Sequence, residues 1–200
     1  NYPDYDLNTP FTPTNQTALA SWSTMSSEEK TNYLYDIWRN KAVQNTYEPG
    51  SVFKIITSSI ALEEKFADTS SVVYNCTGSI TVPGESRPIK CFKYPNSHGA
   101  QSLTNALENS CNPGFVNLGQ RLGKETLFKY ITELGFGKKT GIDLNGEATG
   151  ILFNLDKVGP VELATTAFGQ GISVTALQQV TAVSAIVNGG TLYTPYIVSS

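Results

Sequence analysis

Ser51 and Lys54, in the run Ser51-Val-Phe-Lys54, are residue types that do nucleophilic chemistry together. A serine hydroxyl is a poor nucleophile until a base sits beside it, and three-residue helical spacing puts Lys54 on the same helix face as Ser51. That pairing is suited to acyl transfer. Pro49-Gly50 makes a turn from which Ser51 can open a helix, and Val52, Phe53, Ile55, Ile56, Ile60, Ala61 and Leu62 make that helix apolar almost all round. Such a helix is buried, and a lysine inside it is costly unless paired or deprotonated, the state in which it serves as a general base. Ser110-Cys-Asn112 adds a hydroxyl that can donate and accept and an amide that can orient a neighbour. The plain alternative makes Ser51 a helix cap and lets Lys54 reach to water, but it leaves this second constellation unexplained.

The chain's three cysteines and single histidine are Cys76, Cys91, Cys111 and His98. Three thiolates and one imidazole form a complete ligand set of the kind structural zinc prefers. Cys91 and His98 would come from one loop and Cys76 from the preceding strand. Cys111, the middle residue of the second constellation, could then pin the loop carrying Ser110 and Asn112 while pointing away from Ser51. Two other readings stay open: a Cys76–Cys91 disulfide in an oxidising compartment, or three unrelated buried thiols with a surface histidine.

Around these residues the chain reads as one domain without internal repeats. Its 200 residues can bury one substantial core, and 40% hydrophobic content, 16% charged and a net charge of -3 fit an ordinary globular domain with no sign of nucleic-acid binding. No run approaches the ~18 apolar residues of a membrane span, and no stretch of the sequence reads as a signal sequence. Residues 1–24 read as an extended approach, and Ser26-Ser-Glu-Glu29 offers a capping box for a helix with Tyr33, Leu34, Ile37 and Trp38 facing inward. The Ser51 helix should run to about Lys65, and residues 72–94 alternate like a hairpin. Helices are predicted at 102–109, 114–122, 125–134 and 173–187, with a strand beginning at 191–198.

The segments Asn1-Tyr-Pro-Asp-Tyr-Asp-Leu-Asn8, Tyr47-Glu-Pro-Gly-Ser-Val-Phe-Lys-Ile-Ile-Thr57, Leu107-Glu-Asn-Ser-Cys-Asn-Pro113, Phe168-Gly-Gln-Gly171 and Asn188-Gly-Gly-Thr-Leu-Tyr-Thr-Pro195 resemble the transpeptidase domain of class B penicillin-binding proteins, most of all the sporulation-specific branch. Ser-x-x-Lys followed by Ser-x-Asn is the signature shared by these proteins and serine β-lactamases. The resemblance implies an α/β (α+β) penicillin-binding transpeptidase or serine β-lactamase-like fold. Residues 1–200 would be a helix-rich partial domain without most of the central antiparallel sheet. It further implies a D,D-transpeptidase that cross-links peptidoglycan stem peptides and is acylated by β-lactams. Such an enzyme works beside a membrane glycosyltransferase on the extracytoplasmic face of the bacterial membrane, held by an anchor outside this chain.

On that reading Ser51 is the nucleophile, Lys54 its base, Ser110 a proton shuttle and Asn112 an orienting amide. No organic cofactor is implied; some related class B proteins hold zinc beside the active site. Lys139-Thr140-Gly141 spells a third motif of the family. It lies in a Gly135/Gly137 turn, however, whereas the family's triplet comes after the segment resembling 188–198, so the catalytic role is not carried onto Lys139. Rival outcomes of the same fold are a serine β-lactamase and a non-catalytic β-lactam sensor.

Overall fold

The structure, a computed structural model, describes residues 5–198; the first four residues of the approach segment, and residues 199–200, lie outside the described residues. Asn15 caps α1 (Gln16–Ser21) by accepting from the N–H groups of Thr17 and Ala18, which places a helix where extended chain is expected. Ser26 and Glu29 form the predicted capping box on α2 (Ser27–Trp38). The inward face of α2 is narrower than predicted, because only Ile37 is buried and Trp38 lies at the surface. After α3 (Lys41–Gln44) and β1 (Thr46–Tyr47) comes a 3₁₀ turn, Gly50–Phe53, leading directly into α4 (Lys54–Glu63). Ser51 therefore lies second in a 3₁₀ turn, a common start for an α-helix, and does not open the α-helix itself.

The expected hairpin over 72–94 is replaced by two pairings. β2 (Val72–Cys76) pairs antiparallel with β5 (Gly99–Ser102), while β3 (Ser79–Ile80) pairs with β4 (Ile89–Lys90) inside that connection. The chain turns at Gly78 (φ +97), where a Cβ would sit 2.8 Å from the Asn96 carbonyl oxygen, and the Gly78 carbonyl accepts the Cys91 N–H at 2.8 Å. The segment after Cys76 is thus folded back on the Cys91 loop, leaving β2 free to pair further along the chain.

α5 (Leu103–Glu108) is capped by Ser102, and α6 (Asn112–Glu133) starts at Cys111. The two helices predicted over 114–134 are joined in α6 across a break at Gly123 (φ 77, ψ 162). A second 3₁₀ turn (Leu155–Lys157), α7 (Pro160–Thr166), β6 (Val174–Thr175) and α8 (Ala176–Val187) follow. α8 begins later than predicted because Val174 and Thr175 pair with β1 and Thr175 then caps the helix. The strand expected at 191–198 does not form: the Asp143 carboxylate takes the N–H groups of Ile197 and Val198 at 2.8 and 2.9 Å, donors that a ladder would need.

The described residues are helix-rich and sheet-poor, with three two-stranded sheets. At the centre Phe53, Ile56, Ile60 and Ala61 pack with Phe115, Leu118, Leu127 and Ile131 of α6, Ala164 of α7 and Ala182 of α8. Each large side chain buried there contributes about 1.5–3 kcal/mol, which fixes α4, and hence Lys54, in the middle of the fold.

Candidate active site

Lys54 is fully buried in the first turn of α4, yet its ammonium nitrogen is surrounded by oxygen. Nζ lies 3.0 Å from Ser51 Oγ, 2.8 Å from Ser110 Oγ, 2.9 Å from the Ser110 carbonyl and 2.7 Å from Asn112 Oδ1. Ser110 Oγ is also 3.0 Å from Ser51 Oγ, so all four predicted side chains meet in one hydrogen-bonded group. Three-residue spacing across the junction of the 3₁₀ turn and α4 brings Lys54 over Ser51. Ser110 reaches both through a left-handed backbone (φ 45), which turns its carbonyl and its hydroxyl onto the same amine. A non-glycine residue held there costs about 1–3 kcal/mol, a strain characteristic of functional turns.

The polarity of the acceptors determines what Lys54 can do. Asn112 Oδ1 and the Ser110 carbonyl are pure acceptors and take two of its hydrogens; when the amine is neutral, its lone pair is left facing the two hydroxyls. Burial pushes Lys54 down from its ordinary 10.5 to about 8, with the charges of Cys111 and Cys91 pulling the other way. The Phe115 ring, 5.5 Å from Nζ, forms part of the apolar surround. Ser51 is exposed, and its N–H belongs to the first turn of a helix, where backbone donors lack intrahelical partners. A base beside an exposed hydroxyl and a helix N-terminus beside the bond it would attack are the parts of a nucleophilic acyl-transfer site.

Lys139-Thr140-Gly141 is elsewhere engaged. The N–H of Thr140 and of Gly141 donate to the Glu147 carboxylate at 2.7 and 3.2 Å, closing a turn in which Glu147 is buried.

Cys76, Cys91, His98 and Cys111 also converge, with every potential ligand atom within 4.8 Å of the others. Cys76 ends β2, where its register partner Gly99 brings in the adjacent His98; Cys91 follows β4; Cys111 caps α6. The three thiols are buried and unpaired, so the Cys76–Cys91 disulfide is not formed, and Cys91 Sγ is 3.3 Å from His98 Nδ1. Burial and Lys93 hold His98 below its usual range, and burial pushes the Cys111 thiol up. A tetrahedral zinc with sulfur at ~2.3 Å separates its ligands by about 3.7 Å, so this set fits the ion after a small contraction.

Sequence reasoning missed three contributors. Gln101, buried, accepts from Asn109 Nδ2 at 2.9 Å and so steadies the residue before Ser110. Phe115 could have been found from its position one helical turn after Asn112. Glu48 accepts the Gly171 N–H at 2.8 Å, a contact across 123 residues that carries no local signal.

Comparison with known proteins matches residues 10–200 to the family described as the penicillin binding protein transpeptidase domain. The chain belongs to that family. It is 61% identical over 159 residues to "Stage V sporulation protein D" of Bacillus subtilis, covering 80% of this chain and 24% of that protein. It is also 30% identical over 163 residues to "Penicillin-binding protein PbpB" of Mycolicibacterium smegmatis, covering 80% of the chain and 24% of the relative. Together these place it as the transpeptidase domain of a class B penicillin-binding protein. The chain spans about a quarter of the length of these relatives. Among solved structures, penicillin binding protein 3 of Mycobacterium tuberculosis complexed with aztreonam aligns at TM-score 0.72 and 32% identity, over 80% of this chain and 35% of that one. A peptidoglycan glycosyltransferase of Burkholderia ambifaria aligns at TM-score 0.76 and 25% identity, over 83% and 51%. The fold is that of the penicillin-binding transpeptidases.

Proposed function

We propose that this chain carries the nucleophile of a peptidoglycan D,D-transpeptidase that cross-links stem peptides through a serine acyl-enzyme and is acylated by β-lactams. The observation that carries the reading is the shared hydrogen bonding of Ser51, Lys54 and Ser110, with Asn112 taking the opposite side of the amine. Ser51 Oγ attacks the penultimate D-Ala carbonyl while its proton passes to Lys54, directly or through Ser110. The backbone N–H of Ser51 faces the oxyanion; by the family resemblance, a second donor and the third motif belong to strands that follow the segment resembling 188–198. As the C–N bond breaks, Ser110 relays the proton from Lys54 to the departing D-Ala amine. The acceptor amine of a second stem peptide then attacks the ester, its proton returns along the same path, and Ser51 is regenerated.

The Cys76/Cys91/His98/Cys111 set holds Zn²⁺ on this reading, supported by its closeness and burial. Bound there, the ion cross-links β2, the Cys91 loop and the start of α6 and does no chemistry. Cys111 sits between Ser110 and Asn112, so that cross-link fixes the wall of the site facing Lys54. Among the described residues no helix is long and apolar enough to cross a membrane. An anchor outside them, an extracytoplasmic location and a glycosyltransferase partner follow from the family resemblance, and a sporulation role from the named Bacillus relative.

The test is the fate of the acyl group in the full-length protein. A penicilloyl adduct stable for hours, together with D-Ala release from a stem-peptide donor, is the expected pair of results. Rapid loss of the adduct would make the protein a β-lactamase, and acylation without D-Ala release would make it a sensor.

A further inference from the structure

The turn presenting Ser51 has no side-chain cap of its own, so its position is set from outside. One segment does this at three successive points. Thr57 Oγ1 of α4 donates to the Ala167 carbonyl at 2.9 Å, the Gly50 N–H donates to the Gly169 carbonyl at 2.8 Å, and Glu48 Oε1 accepts the Gly171 N–H at 2.8 Å. The β1–β6 pairing continues the same seam, with Tyr47 opposite Val174. The approach is close enough that a Cβ on Gly169 (φ +84) would lie 2.1 Å from the Gly50 carbonyl oxygen and 2.7 Å from Phe53 Cβ.

Resting on the transpeptidase reading, we propose that Glu48 is a positioning residue for acyl transfer: its carboxylate closes this clasp and fixes the turn that presents Ser51. Glu48 is the one charged side chain in the seam's hydrogen bonds, and a carboxylate accepting a backbone N–H makes a stronger bond than a neutral acceptor. The Thr57 tie is buried and belongs to the core, whereas the Glu48 tie is exposed, two residues before Gly50 on the rim beside Ser51. Losing it therefore spares the fold and loosens the nucleophile. Small displacements of a reacting group lower rates steeply, by up to ~10²-fold for about 1 Å.

The experiment compares full-length Glu48→Ala and Glu48→Gln proteins with the parent, measuring the second-order rate of acylation by a fluorescent penicillin, the Tm, and amide exchange over 168–171. Glu48→Ala should acylate about tenfold more slowly, with Tm within about 2 °C of the parent and faster exchange at Gly171. Glu48→Gln keeps an acceptor oxygen and should recover most of both. Parental rate and exchange in Glu48→Ala would overturn the proposal, as would a fall in rate that only tracks Tm or a Glu48→Gln protein no better than Glu48→Ala. A parent that is never acylated would instead sink the transpeptidase reading, and amide exchange would still report whether the clasp exists.

Discussion

The turn Ser110-Cys111-Asn112 divides two regions of opposite character. On one side, Ser110 and Asn112 offer three oxygens to one buried amine, and donors and acceptors match without any added group. On the other, Cys111 joins two more thiols and an imidazole, all rich in lone pairs and within 4.8 Å of one another. The first arrangement is complete as a proton-transfer network. The second has no such internal match of donors and acceptors, and on the proposed reading a zinc ion completes it. On the proposed reading one tripeptide ties a reactive region to a cross-linking one, and the two should fail differently.

The largest break should come from Lys54→Met. Losing the base should slow acylation by ~10²–10⁴-fold in a penicillin-binding assay while Tm falls little or rises, because an amine whose burial disfavours its charge is removed. Acylation at the parental rate would remove Lys54 from the chemistry. Next in size is the metal side. His98→Ala, or treatment with a strong chelator, should release about one zinc per chain and lower Tm, with acylation reduced and not abolished. Metal-free protein of unchanged Tm, carrying a Cys76–Cys91 disulfide, would contradict the zinc reading.

The smallest effect is a pH dependence. Lys54 must be neutral to accept the serine proton, so acylation should fall about tenfold per pH unit below its value of about 8 and level off above it. The same depressed value means that the unfolded chain binds the proton more tightly. This group's contribution to stability therefore rises as pH climbs from about 8 toward 10.5. A flat rate profile from pH 6 to 9 would exclude Lys54 as the base.

That Ser51, Lys54, Ser110 and Asn112 would meet was legible in the sequence because short spacings carry each pair: one helical turn for Ser51 and Lys54, and the two residues flanking Cys111 at the start of α6 for Ser110 and Asn112. The Cys/His set was legible from residue type alone, since no cysteine or histidine was left over. What stayed hidden depends on distant pairing. Alternation at 72–94 could not show that β2 pairs with β5 beyond it, nor could β-rich residues at 191–198 show that Asp143 claims their N–H groups. Phe168-Gly-Gln-Gly171 was recognisable as a motif, but its role against Gly50 and Glu48 exists only after the chain has closed over more than a hundred residues.

On the proposed reading, Ser51 Oγ is the atom that becomes acylated. Full-length protein exposed to penicillin, digested with trypsin and mapped by mass spectrometry, should carry one adduct within the peptide 42–54, at Ser51, and Ser51→Ala should carry none. An adduct on another residue, or labelling that persists in Ser51→Ala, would contradict it.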